Sequence, residues 1–316
     1  MTENKKTVVK VRNLVKRYGD LKALNHLDLE VKDGEIFGLL GPNGSGKTTL
    51  INCLLALLKY EQGEVTIFGE DMTPSSYEIK RQIGVVFQDV AVFEQMSVYE
   101  NIDYFCSLYV ANGEERRDCV EEAIRFVGLE DYKKKKPKQL SGGLKRRLNI
   151  ACGIAHHPRL IIMDEPTVAV DPQSRNNILE GIKELNKRGS TVIYTSHYME
   201  EVDLICTRIV ILDHGKCIAE GTSDELKSML SVAEEIVIEE IAITEDQLAE
   251  IRSKKGVIEA DCEDSVLRLK MARNGSSLTD ILMSLEKGGI EYGRVFTERP
   301  TLNDVFLELT GKELRD

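Results

Sequence analysis

Residues Gly41-Pro42-Asn43-Gly44-Ser45-Gly46-Lys47-Thr48 match the spacing G-x-x-x-x-G-K-[ST] without a mismatch, and no other stretch of the 316-residue chain restricts the fold as much. Glycines let the backbone turn so tightly that successive N–H groups point inward at an anion. A helix start adds partial positive charge on the same side. The flanks supply the remaining parts. Glu35-Ile36-Phe37-Gly38-Leu39-Leu40, before the loop, is an apolar run of buried-strand type, and Leu50 to Leu58, after it, is apolar enough for a core helix. In that setting Lys47 can reach the β- and γ-phosphates of a nucleotide, and the Thr48 hydroxyl can ligate Mg²⁺.

The rest of the first 230 residues alternates short apolar strands with helical patterns. Leu160 to Met163, Thr191 to Tyr194 and Ile209 to Leu212 are unbroken apolar or β-branched runs, as expected of strands buried on both faces of a largely parallel sheet. Asn176 to Lys187 sets Ile178, Leu179, Ile182 and Leu185 on one helical face. From about residue 95 to 155 the pattern turns helical, opening with Ser97 and Glu100 spaced as a capping box. From Ser231 onward 11 Lys and Arg stand against 19 Asp and Glu, so most of the net charge of −11 lies in the last quarter of the chain. That shift marks a boundary near residue 230. Beyond it the order reads βαββαβ, with strands at 235–240, 256–262, 266–271 and 291–297 and helices at 244–253 and 277–286. The order is compatible with a ferredoxin-like split. A short helix, Leu302 to Leu309, closes the chain with Leu302, Val305, Phe306 and Leu309 on one face.

Net acidity argues against non-specific nucleic-acid binding, so no nucleic-acid partner is expected. Seven cysteines, odd in number and without C-x-x-C spacing, fit reduced thiols better than disulfides or zinc. Cys53, Cys152 and Cys206 lie in apolar surroundings and read as packing residues. No apolar run approaches the roughly 18 residues of a membrane span, and Met1 to Lys6 is not followed by a signal-type stretch. The expectation is a cytosolic chain, able to sit on a membrane through a partner. Lys133 to Lys136 could face anionic lipid, but a solvated loop is the plainer reading.

Two further segments carry chemistry. Leu160 to Met163 ends in Asp164 and Glu165: the first is placed to hold Mg²⁺, directly or through water, and the second to polarise an attacking water. Ser141-Gly142-Gly143 opens a helix that continues Leu144-Lys145-Arg146-Arg147, exposing N–H groups and a hydroxyl to an anion. Here the chain resembles the ATP-binding cassette (ABC) ATPases, whose signature motif this is. With that resemblance, His197 matches the family's switch histidine, Gln88 its Q-loop glutamine, Tyr18 the aromatic that stacks on adenine, and Asp171 its D-loop aspartate. The resemblance covers residues from about 7 to 225.

It implies an α/β fold: a P-loop NTPase core with a largely parallel sheet and a helical subdomain insert at about 95–155, together residues 1–230, then a small α+β accessory or dimerisation domain, 231–316. It implies ATP and Mg²⁺ as ligands. Gly41 to Thr49 with Tyr18 would bind nucleotide, Glu165, His197 and Gln88 would be catalytic, and Thr48, Gln88 and Asp164 would hold the metal. Ser141, Gly142 and Gly143 would contact ATP across a head-to-tail homodimer or heterodimer. The other partner implied is an integral membrane permease, docked on the insert, with the cassette on the cytoplasmic face of the membrane.

Leu144, where Gln is usual, and the tail Arg299-Pro300-Thr301-Leu302-Asn303-Asp304 are similar to the drug- and polysaccharide-exporter branch. Ala169, where relatives often carry Gly, is a second departure. The expected function is the ATPase subunit of an exporter. A soluble, non-transport ABC ATPase and an importer ATPase stay open as alternatives, and the cargo is not legible.

Overall fold

The computed structural model describes residues 6–168, 170–273 and 278–311. Ala169 and Ser277 therefore lie outside the described residues. The chain divides into two compact units, the first ending at Ser223 and the second beginning at Asp224.

The first unit opens with β1 (Thr7–Tyr18), β2 (Leu21–Lys32) and β3 (Ile36–Leu40), then α1 (Lys47–Leu54). There follow β4 (Gln62–Ile67), β5 (Glu70–Asp71), α2 (Tyr77–Lys80) and β6 (Ile83–Val86). Three helices come next, α3 (Val98–Ser107), α4 (Gly113–Val127) and α5 (Gly142–Ile154). The unit continues with β7 (Leu160–Asp164), α6 (Pro172–Lys187), β8 (Thr191–Ser196) and α7 (Met199–Ile205). It ends with β9 (Arg208–Asp213) and β10 (Lys216–Gly221), and α8 (Ser223–Lys227) leads into the second unit.

Two sheets result. One is antiparallel in the order β2-β1-β4-β5; the other runs β10-β9-β3-β8-β7-β6, parallel from β9 to β6, with β10 antiparallel at its edge. Every residue of β3, β7 and β8 is buried, which is why these segments carry no alternation. Val9, Leu24, Phe37, Leu50, Ile162 and Val210 share one apolar cluster, so α1 is interior with both sheets around it. Each such side chain contributes about 1.5–3 kcal/mol by leaving water. α1 stops at Leu54, short of the expected Leu58. Ala56 takes a left-handed φ of 52°, and the Leu57 and Leu58 amides both return to the Asn52 carbonyl, closing the helix.

The helices α3, α4 and α5 stand between β6 and β7, which are sheet neighbours, so they form an insert with its own core of Val98, Ile102, Val120, Ile124 and Leu148. The Ser97 capping box is present on both sides: Glu100 N–H donates to Ser97 Oγ at 3.2 Å and Ser97 N–H to Glu100 Oε2 at 2.7 Å. The lysine run is tied into this insert. Lys133 pairs with Glu121, Lys135 lies 4.8 Å from the Tyr132 ring, and the Lys133 and Lys135 carbonyls accept from the start of α3. Cys53 and Cys152 are buried packing residues, and burial pushes the Cys53 thiol up to about 11.

In the second unit β11 (Val232–Glu239), α9 (Glu245–Arg252), β12 (Val257–Glu263), β13 (Val266–Ala272), α10 (Leu278–Lys287) and β14 (Val295–Glu298) give the βαββαβ order, closed by α11 (Leu302–Thr310). The strands pair as β12-β13-β11-β14, all antiparallel, which is the ferredoxin-like arrangement. Leu267, Leu269 and Met271 point into a core with Ile236, Leu248, Ile251 and Ile281, while Arg268 and Lys270 alternate outward. β14 is shorter than the expected 291–297. A turn at Gly288 and Gly289, the latter at φ 67°, follows α10, and the ladder starts only at Val295. On α11, Leu302, Val305 and Phe306 are buried, but Leu309, expected on the same face, is exposed.

His156, just past α5, joins insert to core. Its Nε2 lies 3.2 Å from the Ile83 carbonyl on β6, and its ring stacks on Tyr109 at 3.8 Å. Burial pushes this imidazole down from 6.5 to about 4. Between those values the unfolded chain takes up a proton that the folded chain refuses, so stability falls as pH falls through that window. His156→Phe keeps the stack and removes the titration. It is expected to be about 1 kcal/mol less stable than the parent at pH 7, through the lost bond to Ile83. The gap should close as urea titrations move to lower pH.

Candidate nucleotide site

The phosphate loop hangs from the end of β3 and closes onto α1. A Cβ at Gly41 would lie 2.3 Å from the Leu212 carbonyl oxygen, and one at Gly46, where φ is 111°, would lie 2.6 Å from that of Ala23. Only glycine fits at either place, so backbone contacts on both sides fix the loop. Lys47 opens α1 with its side chain buried. Its Nζ donates to the Gly41 carbonyl at 2.7 Å and the Pro42 carbonyl at 3.2 Å, and lies 3.6 Å from Glu165 Oε1. Burial pushes this ammonium down, and the charges of Glu165 and Asp164 oppose the shift.

Asp164 and Glu165 stand at the end of β7. Asp164 accepts from Thr48 Oγ1 at 3.0 Å on one oxygen and from Thr195 Oγ1 at 2.7 Å on the other. The Thr195 hydroxyl also accepts the Glu165 N–H at 3.0 Å, so a single side chain on β8 holds both acids. Glu165 takes a left-handed φ of 48°, which costs a non-glycine residue about 1–3 kcal/mol. That turn swings its carboxylate back over the loop, where Oε2 meets His197 Nδ1 at 3.3 Å. Lys47, Thr48, Asp164, Glu165 and His197 thus come together from three segments.

The other expected residues lie around this cluster. Tyr18, at the end of β1, is 50% exposed, with Lys16 Nζ 5.4 Å from its ring centroid. Asn43 and Gly44 are exposed at the loop tip, Ser45 is buried, and Thr49 is partly buried. Gln88 is exposed beyond β6, and no side-chain hydrogen bond ties it to the acids among the described residues. Its neighbour Phe87 is anchored instead: the Phe87 carbonyl accepts from Arg146 at 3.0 Å and from Asn149 at 3.3 Å, both on α5. Ser141 is the N-cap of α5, its Oγ accepting from Leu144 N–H at 3.3 Å, and it stands with Gly142 at the surface. Gly143 packs on the start of α6, where a Cβ would lie 3.1 Å from Asp171 Oδ2 and 2.9 Å from Ser174 Oγ. Asp171 is the N-cap of α6, accepting from Ser174 N–H at 2.9 Å. Leu144 packs against the apolar core of the insert, which accounts for an apolar residue at that position.

Three residues in or beside the site lay outside the sequence reading. Thr195 is one. Arg146 is another: buried, it donates to the Glu165 carbonyl at 3.1 Å as well as to Phe87, tying α5 to the acid strand. The third, Glu201, lies behind β8. Arg146 stands in a basic run and Thr195 in a strand, and neither pattern singles out the side chain that turns inward.

A profile of the ABC transporter family matches residues 24–168. The linearmycin resistance ATP-binding protein LnrL of Bacillus subtilis is 38% identical, over 98% of this chain and 100% of that one. The daunorubicin resistance ATP-binding protein DrrA3 of Streptomyces coeruleorubidus is 35% identical, over 98% of each. The Nod factor export ATP-binding protein I of Cupriavidus metallidurans is 35% identical, over 98% of this chain and 99% of that one. Among solved structures, the cassette MJ0796, a post-hydrolysis dimer bound to ADP and Pi, superposes with a TM-score of 0.62 at 32% identity. It covers 68% of this chain and 98% of that one.

Thr195→Val keeps the shape of the strand and removes the hydroxyl shared by Asp164 and the Glu165 N–H. The variant is expected to lose about 1–3 kcal/mol of stability in urea titrations, because two buried polar groups are left without a partner. Its ATP turnover should fall with it.

Proposed function

The chain belongs to the ABC transporter family of ATP-binding cassettes, and from that premise we propose that it is the ATP-hydrolysing subunit of an exporter, working with a membrane permease. The observation that carries the exporter reading is the extent of the likeness: resistance and export ATP-binding proteins match 98% of the chain, second unit included, whereas the MJ0796 cassette stops at 68%. No helix among the described residues is long and apolar enough to cross a membrane, which fits a permease carried by another chain.

We assign the roles as follows. The backbone N–H groups of the loop from Gly41 to Thr49, Pro42 excepted, and the Lys47 ammonium hold the β- and γ-phosphates, and Tyr18 stacks on adenine. Mg²⁺ would be held by Thr48, Asp164 and Gln88. The Thr48 hydroxyl and Asp164 carboxylate, 3.0 Å apart, are the hard oxygen donors that Mg²⁺ takes. No cluster of three or more acidic, His or Cys ligands occurs among the described residues, which suits an ion completed by phosphate and water. Such an ion supplies charge neutralisation at the phosphate oxygens. Glu165 accepts a proton from the attacking water, and His197, 3.3 Å from it, keeps the carboxylate aimed. Ser141, Gly142 and Gly143 of a second cassette complete the triphosphate site, so closure of a pair assembles the preorganised charge that hydrolysis needs.

For the permease we propose a groove of about 340 Å³ between core and insert, lined by Leu57, Phe87, Leu108 and Tyr109 among others. These apolar side chains are partly solvent-facing and adjoin Gln88, so a docked partner would lie beside the phosphate site. The cassette would then work at the cytoplasmic face of the membrane.

Glu165→Gln is expected to lower turnover by at least about 100-fold while ATP binding is retained, since water polarisation is lost and the cradle stays. The same variant should dimerise on adding ATP and Mg²⁺ in size-exclusion chromatography; a monomer at saturating nucleotide would refute the composite site. Tagged protein purified from detergent-solubilised native membranes should bring down a polytopic membrane protein in fixed ratio, and Leu108→Glu should lose it.

A further inference from the structure

Glu201, in α7, is 3% exposed and touches neither the phosphate loop nor the acid pair. Its Oε2 accepts three hydroxyl bonds, from Thr167 at 2.8 Å, Tyr194 at 2.6 Å and Ser196 at 3.0 Å. Its Oε1 lies 3.3 Å from Arg175 Nε on α6. The partners come from different parts of the site. Thr167 lies two positions after Glu165, Ser196 immediately precedes His197, and Arg175 stands in the first turns of the helix that Asp171 caps. The contacts then close on themselves. The Arg175 guanidinium lies 4.8 Å from the Tyr198 ring, and that ring lies 4.1 Å from the His197 ring. The Tyr198 N–H donates to Ser196 Oγ at 2.9 Å. Burial, then the charge of Glu201, pushes the Tyr194 phenol well up, so it stays a donor.

A buried carboxylate is a costly way to fill space. Apolar residues of the same volume would pack as well without desolvating a charge. What the charge supplies is simultaneous attachment: one group accepts three hydroxyls, from the turn after β7 and from β8, and pairs with a guanidinium on α6.

We propose that Glu201 is a positioning residue for hydrolysis, locking the segments that carry Glu165 and His197 to the start of α6, so that the pair is held in register with Asp171. The inference rests on the reading of Glu165 and His197 as the hydrolytic pair. Glu201 acts through those side chains and makes no contact with nucleotide. A shift of the α6 start, where Gly143 also packs, is passed to His197 through Arg175 and Tyr198.

The test is steady-state ATP hydrolysis by the full chain. Glu201→Gln keeps the volume and one acceptor oxygen but cannot neutralise Arg175. It is expected to lower kcat about 10- to 100-fold, the scale of a misplaced catalytic group, with KM for ATP within about twofold of the parent. Arg175→Ala alters a partly exposed side chain, so it should fold even if Glu201→Gln does not, and should show the same loss in kcat alone. The double variant should be no worse than the poorer single one, because both changes break one link. Arg175→Lys, which keeps the charge, should retain most of the turnover. The proposal is overturned if both single variants keep kcat within about twofold of the parent, or if kcat falls only as KM rises or as folded protein is lost. A parent chain whose turnover survives Glu165→Gln would remove the reading beneath the inference, and the inference with it.

Discussion

Three buried parallel strands end abreast, and the chemistry of this protein depends on that register. Leu40 of β3 sits opposite Ser196 of β8, and Asp164 of β7 sits opposite Thr195. The residues that follow each strand, the phosphate loop, Glu165 and His197, are therefore delivered to one level at the carboxyl edge of the sheet. This is the general location of ligand sites in open α/β sheets. A slip of one residue would turn Asp164 away from Thr48 and Thr195, since alternate side chains face opposite ways. The buried polar pairings favour this register, because only in it does the Thr195 hydroxyl meet both the Asp164 carboxylate and the Glu165 N–H.

The second constraint is electrostatic. Lys47, Asp164, Glu165 and Arg146 are all buried, and side-chain contacts link them in space at the phosphate loop. Each alone would be costly to desolvate: Lys47 is held by Glu165 and backbone carbonyls, Arg146 by backbone carbonyls, and Asp164 by the Thr48 and Thr195 hydroxyls. The arrangement leaves Glu165 in a left-handed turn that a glycine would occupy more easily. Strain of this sort persists where surrounding contacts over-determine the geometry. Here the Thr195 hydroxyl grips the Glu165 amide and Arg146 grips its carbonyl, so the backbone is held from both sides.

What could be read from the sequence was local. The phosphate loop, the acid pair after an apolar run, the capped helix at Ser141 and the βαββαβ order of the second unit are each carried by contiguous residues. The residues that escaped are those whose meaning depends on which strands are neighbours. Thr195 is one threonine in a β-branched strand until β7 lies beside it. Glu201 is an ordinary acid in a short helix until Thr167, Tyr194, Ser196 and Arg175 converge on it. Boundaries failed for a related reason. Leu55 to Leu58 continue an apolar pattern, but the chain must turn back at Ala56 to reach β4, and tertiary demand outweighs periodicity. The helical pattern likewise overstated α11, where Leu309 shares the spacing of the buried residues yet faces solvent.

The order in which the sheet is threaded also governs how the chain can be made. β3 lies between β8 and β9, and the contact from Gly34 to Thr191 at its edge joins residues 157 positions apart. A ribosome adding about 5–20 residues per second releases β3 on the order of ten seconds before either neighbour exists. During that interval a five-residue strand with no polar side chain, bearing the phosphate loop at its tip, has no sheet to enter. The helical insert, whose core is made within itself, can assemble while the wait continues. The nucleotide site is thus among the first segments synthesised and among the last to be built, and during synthesis the chain must be shielded there rather than at its acidic end.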